Sequence, residues 1–259
     1  MKVLESIIDY LRKELGDRLS KVKVSDVRIG LAYTGVSLTN KCAGVAYTFP
    51  TKDGCSILDY AGEISDRRVS ELMEMALSQN LVEASIGVAT INALSQMTFK
   101  VFPERYKPSR IDVLDLIRSR DRVLMIGYFA PLVPKILRKT RDLYLAEMRK
   151  ISDKRIKLVP SSKVKDILSS SDVILISGST LVNKTIDEIL ESIGEARESI
   201  LLGPTASVIP HPLFKMGITA VMGIEITDPY MMLKVISEAG GTRQLLSKCA
   251  RKIAFIRGK

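Results

Sequence analysis

The chain lacks tryptophan entirely and has one histidine, three cysteines and only 5% aromatic residues in 259. Each scarcity removes a class of function. Cys42, Cys55 and Cys249 form no CxxC pair and have no metal-ligand spacing, so a structural zinc site built from them and His211 has little support. An odd number of dispersed cysteines without a secretion signal points to reduced thiols in a cytoplasmic protein. No segment approaches the roughly 18 uncharged apolar residues of a membrane span. The opening Met1-Lys-Val-Leu-Glu-Ser-Ile-Ile-Asp9 carries acids within its apolar stretch, as a mature helix does and a signal peptide does not. Also missing are a phosphate loop, a serine nucleophile elbow, an HExxH motif and a paired-carboxylate signature, so nucleotide triphosphate hydrolysis has little support.

The net charge of +10 raises the question of nucleic acid. Lysine and arginine, however, interleave with acids along the chain, and no recognition motif or aromatic-basic stacking pattern occurs, so a sequence-specific nucleic-acid partner is not expected. Glutamine occurs only at positions 79, 96 and 244, which together with abundant Lys, Arg and Glu leans towards a thermophilic source. Hydrophobic residues make up 46% of the chain and charged residues 26%, an ordinary balance for a globular protein with a real core.

Pro103 and Pro108 divide the chain, since each forces its predecessor towards extended geometry. Residues 1–105 read as a small α+β domain. Val3, Ile7, Ile8, Leu11 and Leu15 lie on one helical face, and runs at 22–38, 43–49 and 55–60 read as a three-strand antiparallel meander. Two helices follow, the first capped at Ser65 and the second, 84–96, more buried. Residues 106–259 alternate strand and helix, with strands expected at 122–127, 143–147, 173–177, 200–203 and 220–223. A mainly parallel, Rossmann-like sheet with right-handed crossovers follows. One helix is expected over 180–193, and the basic C-terminal stretch 248–259 reads as one solvated face.

The most informative segments are Asp172-Val-Ile-Leu-Ile-Ser-Gly-Ser-Thr-Leu-Val-Asn183 and Ser199-Ile-Leu-Leu-Gly-Pro-Thr-Ala-Ser207. Each is an apolar run that stops in small, hydroxylic or turn-forming residues, as buried parallel strands do. Ligands of open α/β sheets bind beyond the carboxyl ends of such strands, which makes Gly178, Ser179, Thr180, Asn183, Gly203, Pro204 and Thr205 candidate ligand-binding residues. The same residues serve ordinary turn chemistry, and Ser179 or Thr180 serves equally as a helix N-cap.

The first strand of this half ends Val123-Leu-Met-Ile-Gly-Tyr-Phe-Ala-Pro131, keeping Gly127 but placing bulky Tyr128 and Phe129 where a dinucleotide fingerprint needs glycine. Glu147 lies 20 residues beyond Gly127, where an acid holds a ribose diol in this architecture. That leaves an adenosine cofactor such as S-adenosylmethionine as an alternative, against a solvated acid at a strand end. Asn92, among apolar neighbours, is either a satisfied structural amide or faces the pocket. His211, between two prolines, is either a rigid capping residue or a metal ligand or general base at the crevice.

The segments 176–185, 202–206 and 223–229, with Gly127-Tyr-Phe129 and Gly87-Val-Ala-Thr-Ile-Asn-Ala93, resemble motifs of the putative heavy-metal chelation family, in order along nearly the whole chain. That resemblance implies an enolase-type N-terminal domain joined to a Rossmann-like domain, with a site between them. It would involve Asn92, Tyr128, Glu147, the 178–183 turn and the 203–205 turn. Lys184 stands where the family usually has glycine, adding positive charge at the mouth, and Ser177 and Ser179 stand where threonines are common. The resemblance supplies no metal ligands. The expected partner is therefore a small molecule or a divalent heavy metal, bound directly or inside an organic chelate; catalysis and homo-oligomerisation stay open.

Overall fold

The structure, a computed structural model, describes residues 2–50 and 57–258. It is a mixed α/β fold with two sheets. The first helix, Lys2–Leu15, buries Val3, Leu4, Ile7, Ile8, Leu11 and Leu15 along one stripe and leaves its charged residues outside. A short helix, Arg18–Lys21, leads into β1 (Val24–Ile29), β2 (Tyr33–Leu38) and β3 (Ala43–Tyr47), an antiparallel sheet in that order. The expected 22–38 strand is thus a hairpin. Its turn is at 30–32, where Gly30 N donates to Tyr33 O at 3.0 Å. Of the run expected at 55–60, residues 55 and 56 lie outside the described residues, and 57–60 form no strand.

Helix Val69–Glu74 begins four residues later than Ser65, which sits instead in a 3-10 turn, Ile64–Asp66. The long helix Leu81–Val101 is capped by Asn80, whose Oδ1 accepts from Val82 N at 2.9 Å. From Val82 to Thr98 every residue but Glu83 is buried. Small residues make this possible. A Cβ on Gly87 would lie 1.8 Å from Ala76 N, and one on Gly44 of β3 would lie 2.3 Å from Ala89 O.

The second sheet contains β4 (Val123–Ile126), β5 (Leu143–Ala146), β6 (Lys157–Leu158), β7 (Val173–Ser177), β8 (Glu198–Leu202), β9 (Ala220–Ile226) and β10 (Ala250–Ile256). Their order across the sheet is β10-β9-β8-β7-β4-β5-β6, parallel except for β10 against β9. Counted from β4, the parallel order is 3-2-1-4-5-6, the doubly wound Rossmann arrangement, and its switch point falls between β4 and β7. The expected 180–193 helix is two helices, Ser179–Val182 and Ile186–Glu191, broken where Lys184 adopts φ +64°. The C-terminal stretch is not simply a solvated face. Helix Thr242–Lys248 and β10 complete the fold, with Ile253, Ala254 and Phe255 buried.

The two halves share their core. One apolar cluster runs from Val3 through the Leu81–Val101 helix to Phe255. Helix Pro229–Ser237 closes the far side of the small sheet, bringing Ile236 and Met232 against Gly35. β2 is therefore buried along its whole length, its hydroxyl residues Thr34 and Ser37 included.

Gly87→Ala drives a methyl group into the backbone of the neighbouring turn, and overpacking of this kind costs about 3 kcal/mol. The expected outcome is a lower denaturant midpoint with an unchanged slope. An unaltered midpoint would show that the Met75–Leu77 turn yields freely.

Candidate functional site

Three glycines mark the carboxyl edge of the parallel sheet, and each extends the ladder by one bond. Gly127 N donates to Ala146 O at 3.0 Å, Gly178 N to Leu202 O at 2.9 Å, and Gly203 N to Met222 O at 2.9 Å. Gly127 and Gly203 have φ of +89° and +110°, conformations that other residues rarely adopt. A Cβ on Gly127 would also lie 2.7 Å from the Ser177 Cβ across the switch point. Gly178 serves close packing, since its Cβ would lie 2.4 Å from Ala206 N. The two hydroxyl-rich turns therefore touch backbone to backbone, and Phe129 approaches Gly203 from the β4 side.

Within these turns the hydroxyls are engaged locally. Ser177 Oγ and Ser179 Oγ share a 2.8 Å hydrogen bond, and Thr180 Oγ1 donates to Ser177 O at 2.7 Å. Asn183 Oδ1 accepts from Thr185 N and Oγ1. Thr205 Oγ1 accepts from Tyr47 N at 2.9 Å, joining β3 of the small sheet to the turn after β8, and Pro204 opens that turn as part of a short 3-10 segment. Lys184 does not place charge at the mouth. Its Nζ, half-buried, donates to Ser78 O and to Val182 O, and burial pulls its pKa down.

At the β5 end, Glu147 lies beside Tyr128 as the spacing suggests, with only 9% of its side chain exposed. Its carboxylate is already occupied. Tyr128 N donates to Oε2 at 3.1 Å, Arg149 N to Oε1 at 3.1 Å and Arg149 Nη2 to Oε2 at 2.9 Å. Burial pushes the carboxyl up, but the Arg149 and Tyr128 donors outweigh it and hold it below the ordinary carboxylate range. Asp153 is clamped likewise by Arg155, at 2.8 and 2.6 Å, and accepts from the Tyr128 hydroxyl at 2.9 Å. That last bond is the largest influence raising the Tyr128 phenol. Arg149 is held above its ordinary value chiefly by Glu147, with a smaller contribution from Tyr47 of β3. Sequence reasoning missed this pair of arginine clamps; the alternation of acid and base through Glu147-Met-Arg149 and Asp153-Lys-Arg155 was their only trace.

Asn92 is 1% exposed and stitches the halves together. Its Nδ2 donates to Val45 O at 2.8 Å and to Thr205 O at 3.0 Å, whereas Oδ1 is buried without a partner among the described residues. His211 lies apart from the strand-end turns' hydrogen bonds, in a cage of rings. Tyr10 stacks on it at 5.6 Å, Tyr106 meets it edge-on at 5.1 Å and Phe214 is 6.5 Å away. Among the described residues no group of three His, Cys, Asp or Glu side chains is placed to hold a metal ion, around His211 or elsewhere.

Two substitutions test these assignments. Asn92→Ala leaves two buried carbonyls without donors, so a loss of about 2–4 kcal/mol is expected in chemical denaturation, rather than the intact stability of a surface ligand residue. For His211, burial lowers the pKa first and the nearby Arg105 and Lys215 lower it further, against a smaller opposing pull from Glu14. The unfolded chain, with a histidine pKa near 6.5, then binds more protons than the folded one, so stability is full above about pH 6.5 and falls as pH drops towards the folded pKa. Melting temperatures between pH 7.5 and 5.5 should decline in the wild type and less in His211→Phe. Parallel profiles would remove His211 as the titrating group.

Comparison with known proteins agrees with this architecture. Two family models, each described as "Putative heavy-metal chelation", match residues 111–255 and 12–95. An uncharacterised protein of Methanocaldococcus jannaschii is 28% identical over 239 residues, covering 87% of each chain. Among solved structures, a DUF364-family protein of unknown function from Pyrococcus horikoshii superposes with a TM-score of 0.80 at 26% identity. The match covers 98% of this chain and 99% of that one. Another DUF364-family protein of unknown function, from Desulfitobacterium hafniense, gives 0.82 at 19% identity over 99% and 98%, a likeness of fold. The chain belongs to the DUF364 family, whose description is putative heavy-metal chelation.

Proposed function

We propose that the chain binds a heavy metal already enclosed in a small anionic chelate, in a cleft between a small N-terminal domain (1–105) and a Rossmann-like domain (106–259). The cleft lies at the carboxyl ends of β4, β5, β7 and β8, facing Tyr47 of β3. The observation that carries this reading is the state of its carboxylates. Glu147 and Asp153 are the acids nearest Tyr128, and arginines neutralise both. A bare divalent ion needs several free hard or soft donors, and a protonated or arginine-paired carboxylate is a poor one. By contrast, Arg149 and Arg155 keep more than half of their side-chain surface exposed, and Met148, Lys150 and Lys154 are exposed around them. Such a rim attracts an anion, and guanidinium is suited to the carboxylates of a chelating ligand.

The reading accounts for the family description without requiring protein metal ligands. An adenosine cofactor is less consistent with the site, because its ribose would have to displace Arg149 and the Tyr128 amide from Glu147. Tyr128, with its hydroxyl on Asp153 and its amide on Glu147, would hold the two clamps in register beside the ligand.

Isothermal titration of the whole protein with nickel ion and with nickel citrate separates direct from chelate binding. Nickel citrate should bind at least tenfold more tightly than the free ion. Arg149→Met should weaken it by about 10- to 100-fold, the loss of a charge-assisted hydrogen bond worth 1.5–3 kcal/mol. Stoichiometric binding of free nickel, indifferent to Arg149, would overturn the proposal.

A further inference from the structure

A second site lies at the opposite edge of the Rossmann-like sheet. A hollow of about 640 Å³ opens at the amino ends of β4 and β5, lined by Ser119, Arg120, Leu137–Asp142 and Lys157. Five of its side chains are cationic, Arg120, Arg138, Lys139, Arg141 and Lys157, against the single carboxylate of Asp142. The whole chain carries 39 basic and 29 acidic residues, so the local imbalance is far beyond the background.

Three of these charges are also left without partners among the described residues. Asp142 is occupied by Lys157 at 2.6 Å and Arg122 at 3.2 Å. Asp121, the nearest acid in sequence to Arg120, is buried and taken by Arg197 at 2.6 Å. Lys139 donates to Leu114 O at 2.6 Å. Arg120, Arg138 and Arg141 are exposed and make no ion pair, hydrogen bond or ring contact among the described residues. The loops that carry them are tied to each other, since Thr140 Oγ1 donates to Asp121 O at 2.7 Å and Val123 N to Asp142 O at 2.8 Å. The fold therefore holds three free guanidiniums around one hollow despite their mutual repulsion. An anion of high charge would relieve that repulsion most fully.

The lining also narrows the class of ligand. Leu137 is its one apolar side chain, and the Tyr144 ring nearby is covered by Arg122 and Lys157. No free aromatic face is offered for a base or other planar group, so recognition would rest on charge and on guanidinium-oxygen geometry. We propose that this hollow binds a chain of linked phosphates, recognised through phosphate oxygens alone. Arginine forks match that geometry where lysine offers only a point charge. The site is separate from the chelate cleft, since the two lie at opposite ends of β4, and neither proposal depends on the other.

Titration calorimetry of the full chain with inorganic tripolyphosphate, in metal-free buffer at low salt, provides the test. Binding should be at least tenfold tighter than for orthophosphate and should fall steeply as sodium chloride is raised, as counterion release requires. The triple substitution Arg120→Gln, Arg138→Gln, Arg141→Gln should weaken it at least tenfold. A charge-matched control, Arg110→Gln, Arg243→Gln, Arg257→Gln, removes three exposed cations elsewhere and should retain binding. Competition by a 12-residue oligothymidylate would assign the phosphates to a nucleic-acid backbone, and its failure to compete would assign them to a small polyphosphate. Absence of tripolyphosphate binding, or equal losses in the two triple variants, would overturn the site.

Discussion

The structure depends on one helix being buried on every side. Leu81–Val101 has no solvated face along most of its length, so each polar side chain it carries must find a partner within the protein. Ser85 donates to Tyr47 O, Asn92 to Val45 O and Thr205 O, and Gln96 to Ile226 O, while Ser95 accepts from Ile209 N. Tyr47 and Val45 belong to the small sheet, and Thr205, Ile209 and Ile226 to the Rossmann-like half. The helix thus acts as a polar seam inside an apolar core. Its small residues let β3 come close enough for the bonds to Tyr47 and Val45 to form, and Gly87 admits the Met75–Leu77 turn.

That seam sets the position of the turns at the carboxyl ends of β7 and β8. Asn92 and Thr205 fix the turn after β8 against β3, and the Gly178 contact fixes the turn after β7 against the turn after β8. Gly127 then brings the β4 end against Ser177. A chain of side-chain hydrogen bonds and close glycine contacts runs from the buried helix to the switch point. The motifs that resemble a family signature are in large part the residues that permit this packing. Their hydroxyls bond mainly to one another, so the turns act more as a rigid floor than as a set of free ligands.

Much of this was legible in the sequence, for physical reasons. Strands β7 and β8 are buried on both faces and end in small polar turns, a pattern that survives without tertiary knowledge. The β1–β2 hairpin was not legible, because its turn holds Leu31 and Ala32 where Asn-Gly would have announced it. The break at Lys184 was hidden as well. It rests on a left-handed lysine whose amine is tied to Ser78, a contact across the fold that no local propensity records. β10 was masked by Arg251 and Lys252 at its start, although its second half is core and Ser109 N donates to Ala254 O along its outer edge. That Glu147 ends the strand beside β4 followed from its spacing after Gly127, but the occupancy of that carboxylate required the Arg149 side chain to be placed.

The two ends of the Rossmann-like sheet show opposite electrostatic solutions. At the carboxyl edge, Glu147 and Asp153 lie where their charge is cancelled by arginines two residues on, each clamp closed by a backbone amide of the same loop. Such short-range pairs are set by local sequence and neutralise these acids while leaving much of each guanidinium side chain exposed. At the amino edge, the available acids, Asp121 and Asp142, are drawn inward to cap the sheet and bind Arg197, Arg122 and Lys157. The outer arginines are left without counterions as a consequence. A fold that uses its acids to build strand ends thus leaves an excess of positive charge concentrated where the loops meet solvent. The net charge of +10, which the scatter of basic residues along the sequence makes look diffuse, is therefore organised in space by which carboxylates the sheet consumes.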